Sequence, residues 1–384
     1  MDPHITEWLN LAIRWMHMIF GIAWIGASFY FVWLENHLNR VNPKTGLAGD
    51  LWAIHGGGIY HLEKYKLAPS KMPETLHWFK WEAYTTFLSG ISLLTVVYYF
   101  NAQSMLIAPE SGLVEWQGIA IGIATIVVGW IVYHLLCESP LAQKPALMGV
   151  VLMLMIIAVA YGLSLVFTGR AAYIHVGAMI GSIMVGNVFF VIMPGQRKMV
   201  AAVSKGNAPD PKDPAKALLR SRHNNYLTLP VLFIMISNHF PSTYGSEYNW
   251  LILAAVSIIS VLVRHYFNTR HQHQKYAWTL PFAAFAMITL AYVTKPTVDN
   301  SAPQVAFSDV QTIVAERCAV CHATTGVAPM AGVHLDSPEN IKLNSDRVLS
   351  AVRNRVMPQG NITKMTDDER TVVVNWINQG AIIE

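Results

Sequence analysis

Residues 1–294 hold eight apolar stretches of bilayer-spanning or near-spanning length, at about 9–34, 82–100, 116–137, 146–167, 172–193, 223–239, 250–267 and 276–293. A run of roughly 20 apolar residues can satisfy its backbone polar groups inside lipid only by closing them within a helix. The pattern therefore predicts an all-α fold class, a polytopic transmembrane helix bundle of about eight spans over residues 1–294. The sixth stretch is the least regular, because it contains Pro230 and begins in the polar sequence SRHNNY. The amino terminus, MDPHITEWLN, lacks a basic region ahead of its apolar run, so the first stretch reads as an uncleaved span. The whole chain is only 13% charged, about half the share usual in a soluble domain. That deficit is uneven: residues 307–384 carry mixed charges and read as a small soluble α-helical domain, joined by a polar, proline-containing linker over 295–306.

Lysine and arginine sort the loops between spans into two sets. Residues 35–81, 138–145, 195–222 and 264–275 carry seventeen of them, whereas 1–8, 101–115, 168–171 and 240–249 carry one, Arg170. By the positive-inside rule the first set faces the cytoplasm, which puts both termini and the soluble domain outside. A net charge of +4, with no basic block interleaved with aromatics, excludes nucleic acid as a partner and leaves the lipid bilayer as the extended one.

Three cysteines rule out a disulfide framework. Cys137 sits in an apolar run and reads as a packing residue. The other two belong to Cys318-Ala319-Val320-Cys321-His322, the C-x-x-C-H signature in which two thiols bond the vinyl groups of a c-type haem and the histidine becomes an axial iron ligand. A redox disulfide or a zinc site are the alternatives for the same residues. The motif follows a predicted helix at 308–317 and opens a domain of cytochrome c size on the non-cytoplasmic side. The second axial ligand is expected to be Met357, in Arg-Val-Met-Pro-Gln-Gly, with Pro358 restricting the backbone beside it. Met365 is the fallback, and Met330 stands too close to His322. A final helix over about 366–379 would pack Val372, Val373 and Trp376 inward. Histidine and methionine together raise the potential of the iron, which suits an electron acceptor.

Six further histidines fall in or at the ends of spans. His17, His175 and His239 lie toward the outer side, and His134, His223 and His265 toward the cytoplasm. Ionisable groups at membrane depth are costly and usually functional. Two such layers would suit b-type haem held between imidazoles, or a proton path; hydrogen bonds between neighbouring helices explain the same residues. His17 with His175 is the preferred haem b pair, because Gly21, Gly26, Gly177 and Gly181 nearby would let a flat ring approach, although small residues at that spacing also serve plain helix packing. Arg14, one turn before His17, would neutralise an anion or snorkel outward.

The first long cytoplasmic segment reads His55-Gly56-Gly57-Gly58-Ile59-Tyr60-His61-Leu62-Glu63-Lys64-Tyr65-Lys66, then His77-Trp78-Phe79-Lys80-Trp81-Glu82. Consecutive glycines bring backbone close to a ligand, and aromatic rings beside cations could sandwich a planar anionic heterocycle. A loop lying against lipid headgroups accounts for them equally.

Trp15-Met16-His17 through Trp24-Ile25-Gly26, the two cytoplasmic segments just quoted, and the carboxy-terminal C-x-x-C-H domain together resemble the bacterial membrane-bound, cytochrome-c-linked urate oxidases, or urate hydroxylases. The resemblance spans essentially the whole chain, and its specific part is the combination of motif and membrane domain. It implies hydroxylation of urate to 5-hydroxyisourate in purine degradation at the bacterial inner membrane. Electrons would leave through the c-type haem to a soluble cytochrome c or terminal oxidase, without forming hydrogen peroxide. No nicotinamide or flavin fingerprint competes with this. For such chemistry the candidate bases are His55, His61, Glu63 and His77, and the candidate contacts to urate are Tyr60, Lys64, Lys66 and Trp81. Two rival readings are a non-catalytic, quinol-linked electron-transfer subunit and a haem-biosynthesis or metal-transport protein; the latter leaves the fused domain without a purpose.

Overall fold

The computed structural model describes residues 3–271, 273–295, 302–325 and 332–383. Half of the linker expected at 295–306, and Met330, lie outside the described residues. The chain opens with a long helix, α1 (Pro3–His37), and turns into an antiparallel hairpin of β1 (Leu47–His55) and β2 (Gly58–Tyr65). It returns as α2 (Trp81–Leu94), extended by a π-helical turn at Thr95–Tyr99. His17 meets Thr86 and Ser89, while Phe31 meets Phe79, so α1 and α2 run antiparallel. Then follow α3 (Glu115–Glu138), α4 (Pro145–Ser164), α5 (Gly169–Gly186), a π-helical stretch at Asn187–Ile192, α6 (Met193–Ser204), α7 (Lys212–Ser237), the short α8 (Pro241–Tyr244), α9 (Asn249–Thr269) and α10 (Thr279–Val293).

The fold is helical as expected, with one addition that the sequence reading did not include, a single two-stranded sheet. Its cause is local. Gly56 and Gly57 both take positive φ, 58° and 81°, the pair of conformations that a tight two-residue hairpin turn requires and that glycine adopts without penalty. The glycines that read as a ligand approach thus close a turn. Among the described residues five helical stretches are long and apolar enough to cross a membrane: Glu7–His37, Glu115–Glu138, Pro145–Ser164, Gly169–Ser204 and Asn249–Thr269. The other three expected spans are helical but weaker. The one at 82–100 breaks into α2 and its π turn, the one at 276–293 is the shorter apolar helix Thr279–Val293, and the one at 223–239 is the second half of α7, whose first half is charged.

Helix α5 is the centre of the bundle, packed by α2, α3, α4 and α7. Nearly all its residues from Ala171 to Gly186 are buried. Small residues bring these helices together. A Cβ at Gly177 would stand 2.6 Å from Ile234, and one at Gly186 only 1.8 Å from the Trp130 indole nitrogen. Gly177 therefore serves helix packing, whereas Gly21, Gly26 and Gly181 have nothing within 4 Å of a would-be Cβ.

The C-terminal unit consists of α11 (Phe307–Arg317), the single turn α12 (Ala319–His322), α13 (Pro338–Leu343), α14 (Ser345–Arg353) and α15 (Asp367–Asn378). Val310, Val314, Val352, Val373 and Trp376 form its core, with Val372 packed against it. Thr366 caps α15 in a reciprocal box with Glu369. The segment 354–360 rests on the end of the bundle opposite the hairpin. Asn354 lies against Gly245, Val356 packs on the membrane core, and the Gln359 amide donates to the Met105 sulfur. Gly360 sits so close to Ser104 that a Cβ there would stand 2.7 Å from its Cα.

Candidate functional site

In the C-x-x-C-H segment, Cys318 closes α11 and the next turn carries Cys321 and His322. Thiols three residues apart on helical backbone fall on one face. The His322 Nδ1–H donates to the Val333 carbonyl at 3.0 Å, and among the described residues Nε2 makes no hydrogen bond. A carbonyl on Nδ1 fixes the tautomer and leaves Nε2 free to bind a metal. Burial pushes the Cys318 thiol up to about 11, against a smaller lowering by the Arg370 guanidinium. The motif is held in place by Arg317, whose guanidinium meets the Glu369 carboxylate at 2.8 and 3.0 Å and the Thr363 carbonyl at 2.9 Å. That pairing holds the Glu369 carboxyl below its ordinary range. Of the two methionines, Met365 is 2% exposed and part of the unit's core. Met357 is partly exposed at the seam with the bundle, and its carbonyl accepts from Arg370 at 2.7 Å. Two thiols on one turn, an imidazole with its outer nitrogen free and a thioether on a separate loop are the donor set of a c-type haem.

In the helical bundle His17 and His175 share one arrangement. The His17 Nδ1–H donates to the Thr86 carbonyl at 3.0 Å, and the His175 Nδ1–H to the Ala171 carbonyl at 2.8 Å. Each ring faces a glycine across a helix seam, Gly90 for His17 and Gly122 for His175. His175 is fully buried with its Nε2 unpartnered, and the Tyr99 hydroxyl beside it is unpartnered too. No hydrogen bond or ring contact joins the two histidines directly among the described residues. The packing around His175 continues to the seam with the C-terminal unit. Phe167 packs on the His175 ring, and Thr168 bonds the carbonyls of Met105 and Leu106.

Toward the hairpin end lies a polar network that the sequence reading did not assemble. Arg220, 1% exposed, donates to Glu138 at 3.0 Å, to His134 at 3.2 Å and to Asn187 at 3.4 Å. Asn187 donates to the Tyr133 hydroxyl and to Asn224, both at 2.8 Å, and that hydroxyl donates to His223 at 2.9 Å. The π-helical turn that begins at Asn187 directs this amide inward; such turns recur at functional sites. On the other face of α7, Arg264 of α9 donates through Nε to Asn225 at 2.8 Å and lies over the Phe29 ring at 4.0 Å. Beside it Tyr226 and His265 share a hydrogen bond of 2.8 Å. Arg220 and Arg264, which the sequence counted among solvated loop cations, are thus buried inside the bundle. The signal that could have found them is the run SRHNNY, with polar residues on both faces of a span.

The proposed urate residues occupy a different surface. His55, Tyr60, His61, Glu63, Lys64 and Lys66 all stand exposed on or beside the hairpin, and His77 and Trp81 stand exposed at the start of α2. Three of them have local charge partners. His61 pairs with Asp50 at 2.8 Å and stacks on Trp52, Glu63 pairs with Lys44 at 2.7 Å, and Lys64 pairs with Glu35. His77 packs on Phe79. The structure brings His61 and Glu63 onto one strand but gathers these residues around no enclosed space.

No curated protein and no solved structure matches the chain. A family model does, and it covers the whole helical bundle with its buried histidines and arginines and stops short of the C-x-x-C-H unit. Over residues 3–295 the chain matches the urate oxidase N-terminal family, and it belongs to that family.

Proposed function

We propose that the chain is a membrane-bound urate oxidase that hydroxylates urate to 5-hydroxyisourate and passes the electrons to a c-type haem in its C-terminal unit. The observation that carries this reading is the family match over the bundle, continued by a C-x-x-C-H unit that rests its 354–360 segment on the same bundle. In the balanced reaction urate and one water give 5-hydroxyisourate, two protons and two electrons. Cys318, Cys321, His322 and Met357 are the residues that would hold the haem, which would accept the two electrons one at a time on the outer side of the bacterial inner membrane. Onward transfer to a soluble cytochrome c or a terminal oxidase would complete the cycle without hydrogen peroxide.

The chain's own residues have three tasks. They must hold a flat anion, take protons from urate and from the attacking water, and keep bulk water from the reacting ring. The network of buried Tyr133, Asn187 and Arg220 with half-buried His134 and His223 offers the proton-accepting groups. His17 and His175 are the residues to hold a b-type haem. The free Nε2 of each, behind an Nδ1 tied to a carbonyl, supports that role.

The test is anaerobic addition of urate to the purified, oxidised protein while the reduced c-haem absorption is followed. Reduction at a rate that saturates with urate is expected. A protein that carries c-type haem, is reducible by dithionite and stays oxidised with urate would overturn the reading in favour of an electron-transfer subunit.

A further inference from the structure

We propose that Arg264, Asn225 and Asn268 form the anchoring point for the urate anion, an inference that rests on the function proposed above. Arg264 is 7% exposed and Asn225 3% exposed. Among the described residues no carboxylate lies within 4.0 Å of the Arg264 guanidinium, whereas Arg220 on the other face of α7 has Glu138. A buried cation without a counter-ion is strongly disfavoured unless a bound anion completes it. Three polar atoms at this place are buried and unpartnered: the Nη2 of Arg264, the Nδ2 of Asn225 and the Oδ1 of Asn268.

These atoms have a chemical complement. Two donors beside a fixed positive charge fit the oxygen and ring-nitrogen acceptors of an anionic purine, and one acceptor fits a ring N–H. The Arg264 Nε is already committed to Asn225 and its plane lies over Phe29, so the guanidinium cannot turn away to find another partner. The Tyr226 hydroxyl, beside Asn268 and bonded to His265, lies next to the same place and can relay a proton. The exposed hairpin offers no comparable buried set: Lys44 and Lys64 are already paired, and Lys66 stands in the open. The site belongs to the hairpin-side half of the bundle. Phe29 stands twelve residues along α1 from His17, about 18 Å of helix, so oxidation here requires electrons to travel toward the opposite face.

The decisive variant is Asn225→Asp, which places the missing carboxylate against Arg264 in a side chain of almost the same shape. Thermal unfolding of the full-length protein in detergent is followed with and without urate, alongside the KM for urate-driven haem reduction. Wild type should be stabilised by urate, because a ligand that binds only the folded state raises its melting temperature. N225D should melt at or above the wild-type temperature without urate and gain nothing from it, and its KM should rise about 100-fold, the order expected when one partner of a buried charge contact is lost. Asn268→Ala should raise KM more modestly with the urate-free melting temperature unchanged. An N225D protein that folds and keeps the wild-type KM and urate shift would overturn the site while leaving the function intact. A wild-type protein that is neither stabilised nor reduced by urate would overturn the functional reading, and the site with it.

Discussion

Replacing Gly360 by valine tests whether the seam between the C-terminal unit and the bundle is the path by which electrons leave. Gly360 has φ of +57°, and a Cβ there would stand 2.7 Å from the Ser104 Cα and 2.9 Å from its carbonyl oxygen, where ordinary contact begins at 3.4 Å. A side chain is thus opposed twice. The left-handed conformation costs roughly 1–2 kcal/mol for a non-glycine residue, and both colliding atoms belong to backbone, which cannot rotate aside. Relief requires the loop and Ser104 to separate, and a loss of about 2 kcal/mol of docking preference lowers the docking equilibrium constant roughly 30-fold, which sets the upper limit of the effect on rate. In an anaerobic stopped-flow experiment, haem reduction by urate should slow by up to that factor. Reduction by a small soluble reductant, which needs no seam, should be unchanged. Gly380→Val is the matched control, since Gly380 also has positive φ, +103°, with nothing within 4 Å of its would-be Cβ. Equal, undiminished urate-driven rates in both variants would refute the reasoning and place the electron path elsewhere.

Further outcomes follow from the same geometry. Cys321→Ala should leave at most one thioether, shifting the reduced haem band and making haem partly extractable by acidified acetone; an unchanged spectrum and full retention would contradict the assignment. His175→Ala and His17→Ala should each abolish a b-type absorption while preserving the c-type signal, and wild-type protein with c-type haem alone would remove that role from both. For the Arg317–Glu369 pair the sign is set by a carboxyl whose folded value is depressed. Its stabilisation is fully present above the unfolded value of 4.5 and is lost as pH falls below it toward the folded value. Hydrogen exchange of α15 should therefore accelerate from pH 5 to pH 3 in wild type, and Glu369→Gln should flatten that dependence and raise exchange at pH 7.

The helices were legible because lipid imposes one rule on every buried backbone group. The apolar limits at 116–137 and 146–167 fall within two residues of α3 and within three of α4. Helix α15 was legible for another reason: the spacing of Val373 and Trp376 marks its buried face. The hairpin was missed although Gly56-Gly57 sits between segments of strand length, because the glycines were read for ligand access rather than for turn geometry. The buried arginines were missed for a deeper reason. A sequence shows Arg264 near the end of an apolar run, where a solvated cation is the usual outcome. Only the packing of α1, α7 and α9 reveals that its head turns inward onto Phe29. Sequence periodicity assigns a face; which helix will meet that face depends on non-local contacts that it does not encode.

The hairpin leaves one practical legacy. Trp52, Ile54 and Ile59 project from it unsheltered, while Glu35 on α1 ties it down through Lys64. A lone two-stranded ribbon is marginal in water, so these greasy teeth need a soft phase to bite into, such as the lipid that a bundle of long apolar helices would sit in. Extraction into a small micelle strips that footing first, and a preparation that loses activity on solubilisation but regains it in a lipid disc would be reporting on this ribbon.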